Sequence, residues 1–230
     1  YIFPFSPVQY QVVIQHLPKP ESSYLLEIGS GTGSLTLELA QTCAHTVGID
    51  IDESMISFAH EKQHHYKKQA HIIALNMLDI DLLFTPEYFD VIFSFGNGLV
   101  HLLSPQEILD VLSASKQLLR QGGHLLLQII NYDRILENKI SFLPTIENEH
   151  ITFERRYNYM KDEHLIKFTT ELTDKTTGEI SVQQVQLYPL IQTELQTLLL
   201  EAGFTEVSWY GGFDLSPFTK DSIQLLAAAK

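Results

Sequence analysis

Short apolar runs alternate with segments of helical period through the first half of the chain. The runs are almost continuously apolar, which is typical of strands that helices cover on both faces of a parallel sheet. They lie at residues 24–28, 45–50, 71–75, 89–94 and 123–130. The segments between them predict helices at residues 35–42, 53–69 and 105–120. We therefore predict an α/β fold with a doubly wound, mostly parallel seven-stranded sheet and helices on both faces.

The apolar pattern changes to strict alternation from about residue 151. The alternating segments predict an inserted antiparallel three-stranded meander, at residues 151–159, 165–172 and 179–187. A helix and two further strands follow, at residues 193–202, 205–210 and 223–229. We predict a single domain in three parts: an N-terminal segment and core at 1–139, an inserted antiparallel lid on the substrate side at 140–190, and the return of the chain to the core sheet at 191–230.

Composition narrows the class of protein. With 44% of its 230 residues hydrophobic and 19% charged, the chain has enough apolar material for a folded core. Its formal net charge of −13 disfavours nucleic acid as a partner, because phosphates attract Lys and Arg. No apolar run reaches the roughly 20 residues that span a bilayer, and the single Cys43 cannot form an internal disulfide. We expect a cytoplasmic protein without a membrane partner, and residues that precede Tyr1, because Tyr1 is not Met.

A glycine-rich turn, Glu27-Ile-Gly-Ser-Gly-Thr-Gly33, directly follows the first predicted strand and precedes a helix. Its glycines, Gly29, Gly31 and Gly33, let the backbone turn tightly and approach a ligand closely. Asp50 ends the second predicted strand, where a carboxylate can accept hydrogen bonds from both hydroxyls of a ribose. The turn and the acid together predict a site for an adenosine ligand.

The spacing of the glycines distinguishes between two candidate adenosine ligands, NAD and S-adenosylmethionine. A dinucleotide-binding turn has the pattern Gly-x-Gly-x-x-Gly, whereas here Ser34 stands where the third glycine would be. Glu27, just before the first glycine, would repel a pyrophosphate but suits the ammonium group of an amino-acid moiety. The pattern favours S-adenosylmethionine over NAD, so a nicotinamide dehydrogenase is disfavoured.

Several segments around this turn resemble the class I, Rossmann-like, S-adenosylmethionine-dependent methyltransferases, and the resemblance extends over essentially the whole chain. They are residues 25–33, 48–50, 76–77 and 118–125. The resemblance implies S-adenosylmethionine as the cofactor, S-adenosylhomocysteine as its product, and no metal. In that family the residue matching Asn76 contacts adenine. The side-chain oxygen of an Asn can accept a hydrogen bond from the exocyclic amine of adenine. The implied cofactor contacts are Glu27, Gly29, Gly31, Gly33, Asp50, Ile51, Asn76, Met77, Phe95 and His101.

Four further segments are similar to the glycine N-methyltransferase-like branch of small-molecule enzymes, at residues 95–102, 131–136, 186–189 and 210–213. This resemblance implies that Asn97 orients the acceptor and that His101 lies near the methionine end of the cofactor. Either His101 or a lid tyrosine would help to remove a proton from an amine. The candidate tyrosines are Tyr157, Tyr159 and Tyr188.

The predicted function is methyl transfer from S-adenosylmethionine to a small molecule, with an amine as the acceptor. Two alternatives stay open: a small-molecule O-methyltransferase, and a protein that binds S-adenosylmethionine or S-adenosylhomocysteine without turnover. The glycine-specific members of the branch carry an Arg where this chain has Gln184, and a neutral amide cannot form the same charged clamp on a carboxylate. We therefore expect glycine to be a poor acceptor, although Arg134, Arg155 or Arg156 could hold a carboxylate instead.

A second motif points to a different chemistry. His60-Glu-Lys-Gln-His64 matches the His-Glu-x-x-His pattern of zinc proteases. The motif lies in a polar stretch of the second predicted helix without an evident third ligand, so we interpret its histidines as part of a solvated face. Tyr157 and Lys161 have the spacing of a short-chain dehydrogenase pair, yet they fall in the predicted lid. We predict no metal site.

Overall fold

The computed structural model describes residues 5–230, so Tyr1 lies outside the described residues. The described chain forms a seven-stranded and a four-stranded sheet. In chain order the strands are β1 (Tyr24–Ile28), β2 (His45–Asp50), β3 (His71–Ala74), β4 (Phe89–Ser94), β5 (Leu119–Ile130), β6 (Phe142–Glu147), β7 (Ile151–Met160), β8 (Leu165–Asp174), β9 (Ile180–Leu187), β10 (Val207–Tyr210) and β11 (Gln224–Ala229).

The larger sheet has the strand order β10-β11-β5-β4-β1-β2-β3. Neighbouring strands are parallel, except that β11 runs antiparallel to both β5 and β10. The order reverses between β1 and β4, and in sheets of this kind ligands bind in the crevice beyond the carboxyl ends of the strands at such a point. The predicted α/β class and the seven strands of the sheet are confirmed.

Helices cover both faces of this sheet. They are α1 (Pro7–Gln15), α2 (Ser34–Ala40), α3 (Glu53–Gln63), α4 (Ile80–Leu83), α5 (Pro105–Leu118), α6 (Tyr132–Glu137) and α7 (Gln192–Glu201). Single 3₁₀ turns lie at Pro20–Ser22, Met77–Asp79 and Leu99–His101. Within residues 5–230, no helix has the length and apolar character that crossing a membrane would require.

Helix α3 begins where the sequence predicts and ends six residues early. Asp52 caps it by accepting hydrogen bonds from the backbone N–H groups of Ser54 and Met55. The prediction extended the helix to residue 69, but the structure ends it at Gln63. The residues that follow are mostly His, Lys and Gln. Because most helical stability in proteins comes from packing of an apolar face, this polar stretch has little to hold it helical.

The strand β1 shows why the apolar runs are continuous. Leu26 and Ile28 are buried in the core that includes α5 and α7, whereas Leu25 is buried in the core that includes α1 and α2. Successive side chains of a strand point to opposite faces, and here both faces are covered. The polar exception in β1 is Glu27, which is also buried.

The small sheet, β6-β7-β8-β9, has four strands and not the three that we predicted. The sequence pattern did not predict strand β6, because this strand contains Pro144 and its apolar and polar residues do not alternate regularly. Proline is tolerated in an edge strand or a bulge, and the pairing of β6 with β7 shifts in register between Leu143 and Ile146. The small sheet is joined to the core where the backbone N–H of Tyr188 donates to the carbonyl of Val100, at 2.8 Å.

Candidate active site

The glycine-rich turn is held against strand β2. The N–H groups of Gly29 and Ser30 both donate to the carbonyl of Ile49, at 2.9 and 2.8 Å. Gly33 has a φ of +67°, and a Cβ there would lie 2.7 Å from Cδ1 of Ile72. An L side chain would therefore be strained in its backbone and would also clash with the core. The third glycine is thus required by packing as well as by the turn.

Asp50 lies at the carboxyl end of β2, facing the same turn. Its Oδ2 accepts a hydrogen bond from the N–H of Gly31 at 2.7 Å, and its Oδ1 accepts one from the N–H of Asp52 at 3.0 Å. These bonds fix the carboxylate and leave each oxygen a further lone pair. Such a carboxylate has lone pairs that could accept from the two hydroxyls of a ribose, and that contact stays a prediction.

A cavity of about 520 Å³ opens beside Asp50. Its volume falls within the range of small-molecule and cofactor sites. Seven of the predicted site residues line it: Gly29, Asp50, Ile51, Asn76, Met77, Phe95 and His101. The predicted residues Glu27, Gly31, Gly33, Asn97 and Tyr188 are not part of its wall. Sequence reasoning missed Leu78, Leu103 and Glu107, which also line it and lie outside the segments that carry the resemblance.

Glu27 lies beneath the turn, where we predicted a contact with an ammonium group. Its side chain is buried and accepts a hydrogen bond from the hydroxyl of Thr36. Burial raises the pKa of Glu27 to about 8, the Thr36 hydrogen bonds oppose that shift, and the charge of Asp50 adds to it. The hydroxyl of Ser30 is buried nearby without a hydrogen-bond partner. The hydrogen bond from Thr36 therefore ties β1 to α2, the two elements that the turn connects.

Asn76 and Met77 lie where β3 gives way to the 3₁₀ turn. The Oδ1 of Asn76 accepts a hydrogen bond from the N–H of Leu78 at 3.1 Å, which caps that turn. The oxygen keeps one lone pair and the Nδ2 group has its donors left, so the side chain can still bind a base edge. Ile51, which is 72% exposed, and Met77 add apolar surface to this wall of the cavity.

Phe95 and His101 form another part of the wall. The ring of Phe95 is buried against Phe93 and Phe213, with ring centroids 5.1 and 4.8 Å apart. Desolvation lowers the pKa of His101 below its usual value, and the charge of Asp50 opposes this. The imidazole is therefore neutral at physiological pH and can accept a proton.

The side chain of Asn97 is already engaged on both sides. Its Nδ2 donates to the hydroxyl of Tyr132 at 2.9 Å, and its Oδ1 accepts from the N–H of Ile130 at 3.0 Å. Its backbone has a φ of +74°, a conformation that favours glycine. The hydroxyl of Tyr188 is likewise occupied, because it donates to Oε1 of Glu194 at 2.6 Å. Both side chains thus have hydrogen-bond partners within the protein, and their predicted roles towards an acceptor stay predictions.

Gln184, on which the expectation about glycine depends, lies on the outer face of the small sheet. Tyr157 pairs with Phe168 on the neighbouring strand. Its neighbour Arg156 lies in the next row of residues paired across the strands, and Gln184 lies in that same row. Successive rows point to opposite faces. Tyr157 is buried and Gln184 is exposed. Gln184 therefore gives no reason to expect that glycine is a poor acceptor.

The zinc-protease pattern does not assemble a ligand set. The Nε2 of His60 donates to the carbonyl of Ile72 at 2.8 Å, and His64 lies beyond the last residue of α3. Among residues 5–230, no three His, Cys, Asp or Glu side chains come together as metal ligands would. His60 acts as a tether between α3 and β3.

Residues 25–123 match the family model described as a methyltransferase domain. Phosphoethanolamine N-methyltransferase 3 of Arabidopsis thaliana is 29% identical over 153 residues, which are 66% of this chain and 31% of that protein. The chain thus spans under a third of the length of that relative. The glycine/sarcosine N-methyltransferase of Aphanothece halophytica is 24% identical over 202 residues, which are 87% of this chain and 73% of that protein.

The fold recurs in an S-adenosylmethionine-dependent methyltransferase from Clostridium acetobutylicum. The two structures superpose with a TM-score of 0.83 at 13% identity, over 97% of this chain and 90% of the other. The chain thus contains a methyltransferase domain, and it shares its class I, Rossmann-like fold with an S-adenosylmethionine-dependent methyltransferase. Over most of its length it is similar to the glycine/sarcosine N-methyltransferase.

S-adenosylmethionine, the cofactor of this class, fits the residues present. The fixed carboxylate of Asp50 suits a ribose, and the apolar wall with Asn76 suits a purine. A buried acid lies under the glycine turn, where a positively charged group would relieve the cost of its ionisation. The lining of the cavity is therefore compatible with a sulfonium cofactor that has an adenosine and an amino-acid end.

Proposed function

We propose that this protein is an N-methyltransferase that binds S-adenosylmethionine in the cavity at Asp50 and a small amine between that cavity and the small sheet. The observation that carries the proposal is the 520 Å³ cavity, which has Asp50 in its wall together with His101. The segment that holds His101 also contacts the small sheet, through Val100 and Tyr188. The names of the two curated relatives support an amine as the acceptor.

The bound cofactor would supply a methyl group already activated by its sulfonium, so that the protein has little acid or base chemistry to perform. Its main task is to align the acceptor nitrogen with the methyl carbon and to exclude water. His101 is neutral because its pKa is lowered, so a ring nitrogen can accept the proton that the amine must lose. Asn97 fixes the segment next to the cavity wall, because its Nδ2 donates a hydrogen bond to the hydroxyl of Tyr132.

Arg155 is the group that we propose for an anionic substituent of the acceptor. It belongs to the inner face of the small sheet, two positions from Tyr157. Its Nη2 donates to the carbonyl of Pro144 at 2.7 Å, while its Nε is buried without a hydrogen-bond partner. In contrast, Arg156 is paired with the carboxylates of Glu154 and Glu171. Among the described residues no carboxylate forms an ion pair with Arg155, and a guanidinium without such a partner is suited to a carboxylate or a phosphate.

The test is a methyl-transfer assay with isotopically labelled S-adenosylmethionine and a panel of small amines, alcohols and carboxylic acids. We expect label on nitrogen, and mass spectrometry of the products identifies the labelled atom. Label on oxygen would show the O-methyltransferase. Binding of S-adenosylhomocysteine without transfer to any compound of the panel or of a metabolite extract would show a binding protein. The Asp50→Ala variant controls for transfer by a contaminant.

A further inference from the structure

We propose that Gln128 is a positioning residue for the cofactor cavity, because its side chain fixes the backbone of the segment that follows β4. The proposal rests on the proposed function, since it assumes that the cavity binds S-adenosylmethionine or its product. Gln128 itself is not part of the cavity wall. The segment at residues 95–101, by contrast, gives that wall four residues: Phe95, Gly96, Gly98 and His101.

Gln128 stands out in the strand to which it belongs. Strand β5 is an interior strand of the seven-stranded sheet, and the residues from Leu125 to Ile130 are otherwise all apolar. The side chain of Gln128 is also buried, with only 4% of the residue exposed. A buried amide is costly unless its polar atoms have partners. Its presence here indicates that it forms a specific hydrogen bond.

That hydrogen bond reaches the segment after β4. The Oε1 of Gln128 accepts from the backbone N–H of Gly96 at 2.8 Å, and its carbonyl accepts from the backbone N–H of Asn97 at 3.2 Å. The parallel pairing of β4 with β5 ends one residue earlier on β5, at Ser94 and Leu127. The two bonds therefore extend the hold of β5 on the chain beyond the end of β4.

The two residues held in this way both have a left-handed backbone, with φ of +81° at Gly96 and +74° at Asn97. In a residue other than glycine this conformation persists only where the surroundings impose it. The Oδ1 of Asn97 accepts from the N–H of Ile130 at 3.0 Å, and its Nδ2 donates to the hydroxyl of Tyr132 at 2.9 Å. A Cβ on Gly96 would meet no atom within 4 Å. Hydrogen bonds, more than packing, therefore fix Gly96.

Loss of the Oε1 acceptor would leave the N–H of Gly96 unpaired unless the segment moved to expose it to water. We expect the ligand-free protein to adopt such relaxed conformations, and ligand binding to require the return of the left-handed pair. The apparent affinity for a ligand falls with the fraction of the protein that is in the binding-competent conformation. The loss therefore weakens ligand binding, in addition to any effect on stability.

The experiment measures the binding of S-adenosylhomocysteine by calorimetry to the wild type, Gln128→Met and Gln128→Glu. Met has a similar length but only a weakly accepting sulfur, whereas Glu keeps an acceptor oxygen whether or not it is ionised. Gln128→Met should weaken binding about tenfold, which corresponds to about one molecule in ten in the competent conformation. Gln128→Glu should stay within about threefold of the wild type. If Gln128 only filled space, Met would be tolerated.

Gln41→Met is the matched control. The Oε1 of Gln41 accepts from the backbone N–H of Lys68 at 3.2 Å, and neither residue lines the cavity. This variant should bind S-adenosylhomocysteine as the wild type does. Two results would refute the positioning role: Gln128→Met binding as tightly as the wild type, or Gln128→Glu binding as weakly as Gln128→Met.

Thermal denaturation shows whether each variant is folded. If Gln128→Met is not, hydrogen exchange of the ligand-free wild type, followed by NMR, decides the matter. A protected amide at Gly96 supports the proposal, and an amide that exchanges as fast as one in an exposed loop refutes it. Wild-type protein that binds no S-adenosylhomocysteine would refute the proposed function itself, and with it the role given to Gln128.

Discussion

Among single residues, Asp50 has two roles, one in the turn and one that we propose in ligand binding. Its carboxylate accepts from the N–H of Gly31 and from that of Asp52, and we propose that it also binds the ribose. Asp50→Ala should weaken S-adenosylhomocysteine binding at least about tenfold, because bonds to a charged acceptor are each worth roughly 1.5–3 kcal/mol. Calorimetry measures the loss.

Asp50→Asn keeps the shape and removes the charge, so its affinity should lie between those of the wild type and Asp50→Ala. NAD is the comparison ligand and should bind far more weakly than S-adenosylhomocysteine. An unchanged dissociation constant in Asp50→Ala would contradict the assignment of this cavity to the nucleoside.

Glu27 makes a prediction about the pH dependence of stability. Its pKa is about 8 in the folded chain and 4.5 without the fold. Between pH 4.5 and about 8, Glu27 therefore keeps its proton in the folded state and has lost it in the unfolded state. The stability that protonated Glu27 contributes is fully present below pH 4.5 and is lost as the pH rises towards 8.

Glu27→Gln has no such group, so its unfolding free energy should fall less than that of the wild type between pH 5 and about 8. Denaturant titrations at several pH values measure the difference. Glu53→Gln, on the surface of α3, is the matched control and should follow the wild type. Parallel curves for wild type and Glu27→Gln would show that Glu27 is not buried as described.

At the scale of elements, the turn from β1 to α2 requires glycine for two different reasons. Gly33→Ala should lower the unfolding free energy by several kcal/mol, roughly 1–3 from the positive φ and a similar amount from overpacking against Ile72. Gly122 also has a positive φ, of +80°, but faces open space. Gly122→Ala should therefore lose only the backbone part, and equal losses in the two variants would contradict the packing argument.

Helix α3 carries the histidine pair that resembles a zinc site. Because His60 tethers the helix to the carbonyl of Ile72, we expect EDTA to leave methyl transfer unchanged and the purified protein to hold no stoichiometric zinc. Elemental analysis and an EDTA titration test this. Activity lost in EDTA and restored by zinc, but not by Mg²⁺, would revive the metal hypothesis.

At the scale of the whole molecule, the acceptor site depends on how the small sheet meets the core. If Arg155 holds an anionic substituent, Arg155→Gln should raise KM at least about tenfold for amines that carry a carboxylate or phosphate. Turnover of a neutral amine of similar size should change little. Arg156→Gln, on the outer face, is the matched control. An equal rise in KM for charged and neutral amines would mean that Arg155 has only a structural role.

The sequence by itself determined the parts that depend on local chain geometry and on burial pattern. The apolar runs predicted the strands of the core, because a strand covered on both faces must be apolar at every position. The glycine turn and Asp50 predicted where a cavity lies, because strand, turn and acid follow one another within a short stretch, and its use as a nucleoside site stays a prediction. These features need no knowledge of distant residues.

The tertiary structure decided what depends on partners far apart in sequence. It placed Gln184 on the outer face, added β6 to the small sheet, and buried Glu27 against Thr36. It also engaged Asn97 with Tyr132, 35 positions away. A residue's type shows which hydrogen bonds it can make, whereas the packing of distant elements selects the partner. That is why the sequence could name several residues that line the cavity but not the hydrogen-bond partners of Asn97 and Glu27.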